Sequence, residues 1–160
     1  MLHVLVLGAA AGGGLPQWNC NCDNCRAART EHPALRSTQA SAPVRAKGDS
    51  WSWINGSRDR RQQATASPRL QRANGPRHSP IAGVVLTNGD IDAVAGLLNL
   101  REGSPFTIYG HDRILSVLRD NSIFNVLDPK LVKRQPVELE TPFELMLNDG
   151  TPSGIEVVAF

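Results

Sequence analysis

Three closely spaced cysteines are the residues of this chain with the clearest chemical potential. Cys20, Cys22 and Cys25 are its only cysteines, and an odd, tight cluster makes a poor disulfide framework. In a reducing compartment, thiols at this spacing are typical ligands of one metal ion, and a tetrahedral sulfur set favours zinc. We therefore predict a structural zinc site at these three residues, with redox-active thiols as the alternative.

The fourth zinc ligand is left open by the sequence. Three thiolates fill three of the four tetrahedral positions, and structural zinc sites are normally closed by protein ligands. His32 is the nearest histidine to the cysteines, while His78 and His111 lie farther along the chain. A ligand from outside these 160 residues is the remaining alternative.

A run of small residues precedes the cysteines. The apolar stretch 3–7 predicts a buried strand that ends at Gly8, and residues 9–14 (AAAGGG) then form a turn. This turn lacks both the Gly-Lys-Ser/Thr and the GxGxxG patterns of phosphate-binding loops. We therefore expect a tight backbone crossing beside a site.

Basic residues crowd the segment that follows a pair of tryptophans. Arg58, Arg60 and Arg61 stand where a folded domain would offer apolar residues, shortly after Trp51 and Trp53. They predict either a solvated loop or a site for an anionic substrate. Nucleic acid is not an expected partner, because the net charge is only +2.

Apolar patterns predict the elements that position these residues. Asp90 or Asp92, in a turn between a strand and a helix, suits the N-cap position. The order of elements indicates one α/β domain in which helices cover a sheet. Strands are expected over 51–54, 81–87, 106–109 and 155–160, extended segments over 132–143 and 145–147, and helices over 25–30, 111–119 and from about 94.

Composition is ordinary for a water-soluble domain, at 41% hydrophobic and 20% charged residues. The sequence has no apolar run long enough to cross a bilayer and does not begin with a signal-peptide pattern. We therefore expect a cytoplasmic protein without membrane insertion. Residues 40–80 lack clear alternation, and we expect this segment to be poorly ordered.

Two blocks of sequence resemble the PqqB family of pyrroloquinoline quinone (PQQ) biosynthesis, within the metallo-β-lactamase fold superfamily. The first block is GGGLPQWNCNCDNC at residues 12–25, a highly specific combination; the second runs from Val85 to Gly103. The resemblance implies a metallo-β-lactamase-like αββα sandwich, with the active site along the sheet edges and loops. Family members are about twice as long, so we expect residues 1–160 to represent a truncated, N-terminal half of that domain, whereas full-length relatives are expected to form homo-oligomers.

The resemblance also bears on catalytic metals. Many superfamily enzymes carry His-x-His-x-Asp-His in the strand–helix turn, where this chain has Asn88, Asp90, Asp92 and Ala93. Without these imidazoles an ordinary dizinc hydrolase is not expected. Asp90 and Asp92 are instead candidate ligands of ferrous iron, with helix capping as the alternative.

One segment departs from the family pattern. The family typically has Asn-Ala-Ser-Pro-Asp and an apolar residue where this chain has NGSRDR at residues 55–60. Arg60 therefore stands at an apolar position. Because a buried, unpaired arginine costs several kcal/mol, we expect the preceding strand to be loosened.

The resemblance implies a role in making PQQ, for which three hypotheses follow. The first is iron- and oxygen-dependent hydroxylation of the tyrosine in a Glu-Tyr unit derived from the precursor peptide. The second is transport of PQQ or its precursor toward the periplasm, with Arg101 and the arginines at 58, 60 and 61 contacting the carboxylates. The third is an inactive fragment stabilised by zinc. The expected partners are PQQ or its precursor and other proteins of the pathway.

Overall fold

The computed structural model describes residues 1–71 and 77–160, and a six-stranded sheet forms its centre. The strands lie in the sheet in chain order. The first three are antiparallel neighbours, and β3 to β6 are parallel. Their bounds are β1 His3–Val4, β2 Ala42–Arg45, β3 Trp51–Ile54, β4 Ile81–Val85, β5 Phe106–Gly110 and β6 Val132–Pro136.

Helices connect the parallel strands, since such strands need a crossover rather than a tight turn. One helix lies in each connection between β3 and β6, and a further helix follows the cysteines. None of the helices in the described part of the chain has the length and apolar character needed to cross a membrane. The α-helices are α1 Asp23–Arg29, α2 Arg60–Ala66, α3 Ile91–Val94 and α4 Asp112–Asp120; 3₁₀ segments cover Pro33–Leu35, Pro68–Leu70, Ala95–Leu100 and Ser122–Val126.

The main hydrophobic core lies between the sheet and its helices. Trp53, Val84 and Ile108 are fully buried on three adjacent strands, and they pack in one cluster with Leu97 and Leu118 from the connecting segments. This cluster explains why β4 is an unbroken apolar run, because neighbouring residues of that strand serve opposite, buried faces.

A β-hairpin covers the other face of the sheet. Strands β7 (Phe143–Met146) and β8 (Pro152–Val157) form a separate two-stranded sheet. Val85 and Tyr109 pack in a second cluster with Leu145 of the hairpin, and the Tyr109 hydroxyl accepts a hydrogen bond of 3.0 Å from the backbone N–H of Met146. The described residues thus form a helix layer, a large sheet and a small sheet, which confirms the predicted α/β class.

Residues 40–80 differ from the poorly ordered segment that the sequence predicts. This stretch contains β2, β3 and α2, and only residues 72–76 of it lie outside the described part of the chain. The strand expected to be loosened by Arg60 pairs with both of its neighbours. The guanidinium of Arg60 lies 4.0 Å from the ring centroid of Trp53, so its stem and planar head fill the place of an apolar side chain.

Gly96 is predicted to be indispensable for folding. The loop after β3 is joined to α3 and to the segment after it by one backbone hydrogen bond each, and an added Cβ on Gly96 would lie 1.9 Å from the carbonyl oxygen of Ser57. Gly96→Ala should lower the free energy of unfolding in urea by about 3 kcal/mol or more. Gly110→Ala is the control, because its added Cβ meets nothing closer than 3.5 Å. Equal urea midpoints for the two variants would contradict this prediction.

Candidate metal centre

The three cysteine sulfurs converge at the start of α1. Cys22 is the N-cap residue of this helix, Cys25 lies buried in its first turn, and Cys20 precedes both. Their Sγ atoms all lie within 4.8 Å of one another. Sulfurs around a tetrahedral zinc ion stand about 3.8 Å apart, given Zn–S bonds of about 2.3 Å. The donor set therefore fits zinc with a small closure of the loop. We call residues 17–25 the cysteine knuckle.

Arg29 fixes the backbone of the cysteine knuckle. Its guanidinium donates a 2.7 Å hydrogen bond to the carbonyl oxygen of Cys20 and a 2.5 Å bond to that of Gln17. Arg26, one turn earlier, donates to the carbonyl oxygen of Asn21 at 3.1 Å. Three carbonyl oxygens of the loop are thus held by the helix, while the thiols remain available as donors.

The cysteines differ in acidity. The backbone N–H of Cys25, followed by the thiols of Cys20 and Cys25, lowers the pKa of Cys22 through hydrogen bonds. For Cys25, a backbone hydrogen bond from Gln17 acts in the lowering direction, but burial and the two neighbouring thiols together raise the pKa. Because metal binding must displace the remaining thiol protons, affinity for zinc should rise with pH.

The histidines considered as fourth ligands do not join the cysteines. Among the described residues, the group of candidate ligands contains Cys20, Cys22 and Cys25 alone. His111 instead caps α4, where its Nδ1 accepts a 3.3 Å hydrogen bond from the backbone N–H of Arg113. Within the described residues, the fourth ligand is therefore not supplied by His32, His78 or His111.

The glycine-rich turn is the tight backbone crossing that the sequence predicts. Its residues 8–15 run beside residues 37–41, with bridges at Gly8, Ala10 and Leu15. An added Cβ on Gly8 would lie 2.3 Å from the carbonyl oxygen of Gln39, so this contact excludes any larger residue. The crossing brings the turn to the ends of β2 and β3.

Gln39 is a buried residue that the sequence analysis missed. Its amide Nε2 donates to the carbonyl oxygen of Gly12 at 2.5 Å, and its Oε1 accepts from the Ser57 hydroxyl and the Arg58 backbone N–H. Its own backbone N–H donates to the Asp59 carboxylate at 2.9 Å. A glutamine in a polar stretch shows no periodicity that would predict its burial. Its partners Ser57 and Asp59, however, are residues that the chain shares with the family pattern.

Asp90 ends the turn between β4 and α3, and Asp92 lies in the first turn of α3. Asp90 is the N-cap residue of α3, but its side chain makes no capping hydrogen bond. The Asp92 carboxylate faces the glycine-rich turn, since an added Cβ on Gly12 would lie 3.0 Å from its Oδ2. Neither aspartate belongs to a group of three or more candidate ligands within residues 1–71 and 77–160. The described residues thus do not assemble a two-histidine, one-carboxylate iron set.

The four arginines considered for anion binding separate into two places. Arg58 donates a 2.6 Å hydrogen bond to the carbonyl oxygen of Gly12, the residue that faces the Asp92 carboxylate. Arg60, Arg61 and Arg101 line a different cavity, between α2 and the segment after α3. A single site that uses all four is therefore not what the fold provides.

Arg29 provides a test of the cysteine knuckle. Arg29→Met removes the hydrogen bonds to the carbonyls of Gln17 and Cys20 but keeps every thiol. We expect zinc affinity to fall about tenfold or more, as for other residues that orient metal ligands, measured by competition with a chromophoric chelator. Arg113→Met, at an exposed position on α4, should bind zinc like the parent chain. Parent-like affinity in Arg29→Met would contradict the role assigned to Arg29.

Comparison with known proteins identifies relatives of the whole chain. Coenzyme PQQ synthesis protein B of Rhodopseudomonas palustris (strain TIE-1) is 60% identical over 161 residues, which cover 100% of this chain and 52% of that protein. The homologue of the same description from Gluconobacter oxydans (strain 621H) is 51% identical over 160 residues, covering 100% of this chain and 53% of that protein. The chain therefore spans about half the length of the curated relatives it matches.

A solved structure and a family model are also similar to this chain. The crystal structure of Zn²⁺-bound PqqB from Methylobacterium extorquens superposes with a TM-score of 0.83 at 47% identity, covering 91% of this chain and 52% of that one. The model for the beta-lactamase superfamily domain matches residues 50–160. These findings confirm the predicted metallo-β-lactamase-like fold. The chain belongs to the beta-lactamase superfamily, and along its whole length its sequence is similar to coenzyme PQQ synthesis protein B.

Proposed function

We propose that this chain takes part in PQQ biosynthesis and that its cysteine knuckle binds a structural zinc ion. The observation that carries the proposal is the convergence of three thiols within 4.8 Å, in a chain 60% identical to coenzyme PQQ synthesis protein B. The Zn²⁺-bound state of the similar PqqB structure supports zinc as the metal. The expected partners are the PQQ precursor and other pathway proteins, and the expected compartment is the cytoplasm.

The chain's own residues define what zinc would do here. When bound, the ion supplies a cross-link between the loop and the first turn of α1. Cys20, Cys22 and Cys25 would hold it, while Arg29 fixes the loop carbonyls. Cysteine-rich tetrahedral sites are typical of structural zinc, which contributes directly to folding. The knuckle therefore serves as a scaffold in this proposal.

A narrower proposal concerns hydroxylation of the tyrosine in a Glu-Tyr unit, with Asp90 and Asp92 as ligands of ferrous iron. The exposed position of Asp90 and the placement of Asp92 against the glycine-rich turn leave both carboxylates near a surface turn. The described residues do not complete the iron site, so this activity requires ligands from beyond them. Transport of PQQ or its precursor is the alternative, and the cavity lined by Arg101 favours it because its charge suits a carboxylate.

Metal analysis tests the zinc assignment. The parent chain should bind one Zn²⁺, and its Co²⁺ form should show sulfur-to-cobalt charge-transfer absorption. Cys25→Ser should lose this absorption, because a thiolate ligand is removed. The double variant Asp90→Asn/Asp92→Asn is the control and should keep it. Loss of the absorption in the control but not in Cys25→Ser would place the metal at the wrong residues and defeat the assignment.

A complementation experiment tests the pathway. The chain would be produced in a bacterium that lacks coenzyme PQQ synthesis protein B, alone and together with the remaining half of a relative. We expect PQQ in the medium only with both halves, since the chain spans about half of those relatives. Cys25→Ser should reduce the yield. If PQQ stays absent with both halves, although a complete relative restores it, the pathway proposal fails.

A further inference from the structure

Arg60 is a buried cation whose two Nη atoms lack a hydrogen-bond acceptor in the described part of the chain. It begins α2, and its side chain is only 2% exposed. Its guanidinium stacks on Trp53, yet its Nη1 and Nη2 atoms make no hydrogen bond to any described residue. Stacking satisfies the face of a guanidinium but not its N–H groups, and such groups are costly to bury unpaired.

The pKa of Arg60 is also affected by its burial. Burial without a counter-ion lowers its pKa to about 9. The group still carries a proton at neutral pH, and Trp53 is the aromatic contact recorded for this charge in the described part of the chain. A bound anion would supply the missing acceptors and would stabilise the charged form. Within residues 1–71 and 77–160, no acceptor meets the Nη1 and Nη2 atoms of Arg60.

A cavity offers the space for such an anion. Its volume is about 390 Å³, it lies between α2 and the segment after α3, and Arg60 lines it. Arg61 and Arg101 line it too, together with Asn99 and a single carboxylate, Glu102. That carboxylate lies 3.3 Å from Nη1 of Arg77, so it is already partly compensated. Positive charge thus predominates around the cavity.

We propose that this cavity binds a small oxyanion, a molecule bearing a carboxylate or phosphate group, with Arg60 as its buried anchor. The planar fork of an arginine pairs with two oxygens of either group, and such charge-assisted bonds are strong in a poorly solvated place. Arg61 and Arg101 supply further donors at the exposed side. The site uses neither the cysteines nor the aspartates; it is the cavity that the transport alternative assigns to a carboxylate, and it deepens that alternative by naming Arg60 as the anchor.

Calorimetric titration of the zinc-loaded chain with inorganic phosphate, and separately with citrate, tests the site at fixed ionic strength. We expect saturable binding of at least one probe, and the two titrations show which group is preferred. Arg60→Met should weaken binding about tenfold or more, because charge-assisted bonds to the anchor are lost. Arg69→Met, which removes an exposed arginine from the 3₁₀ segment Pro68–Leu70, is the matched control and should bind like the parent.

The proposal fails if neither probe binds the folded parent, or if Arg60→Met binds as tightly as the parent. Should Arg60→Met not fold, Arg101→Met and Arg61→Met replace it, because both side chains are exposed. Each should weaken binding about threefold, as expected for solvated charges; unchanged affinity in both overturns the proposal. Anion binding that persists when PQQ complementation fails would separate this site from the pathway role.

Discussion

The buried amide of Gln39 is the interaction on which the arrangement of the polar turns depends. It joins the carbonyl of Gly12 to the Ser57 hydroxyl and the Arg58 backbone, and its own backbone oxygen accepts a hydrogen bond of 2.8 Å from Gln63 in α2. Three segments distant in sequence thus meet at one side chain. Both the amide nitrogen and the amide oxygen of Gln39 are satisfied, so this side chain fixes the turns relative to each other.

The glycine-rich turn acquires its place beside Asp92 through this network. Gly12 offers its carbonyl to both Gln39 and Arg58, while its missing side chain leaves room for the Asp92 carboxylate. The cysteine knuckle is built differently, because Arg26 and Arg29 hold it through contacts within twelve residues. One region is therefore organised by the tertiary fold and the other by local bonds.

This difference explains how much the sequence could reveal. The cysteine cluster, the strands at 81–85 and 106–110 and helix α4 were predictable, because ligand spacing and apolar periodicity are local signals. Helix α2 was not predictable, because a charged residue, Arg60, occupies a buried position. The partners of Gln39 were equally hidden, because they lie 18 to 27 residues away. Neither the local sequence pattern nor the contacts of the described residues identify the fourth zinc ligand.

The hydrogen bonds from Arg26 and Arg29 affect which ions the cysteine knuckle can bind. Calcium and magnesium are bound by oxygen atoms, and the ligands of calcium in loops include backbone carbonyls as well as carboxylates. Here the carbonyls of Gln17, Cys20 and Asn21 already accept hydrogen bonds from guanidinium groups. A hard cation would have to compete with fixed positive charges for these oxygens. The loop thus discriminates against abundant cellular cations by withholding its oxygen donors, in addition to offering sulfur.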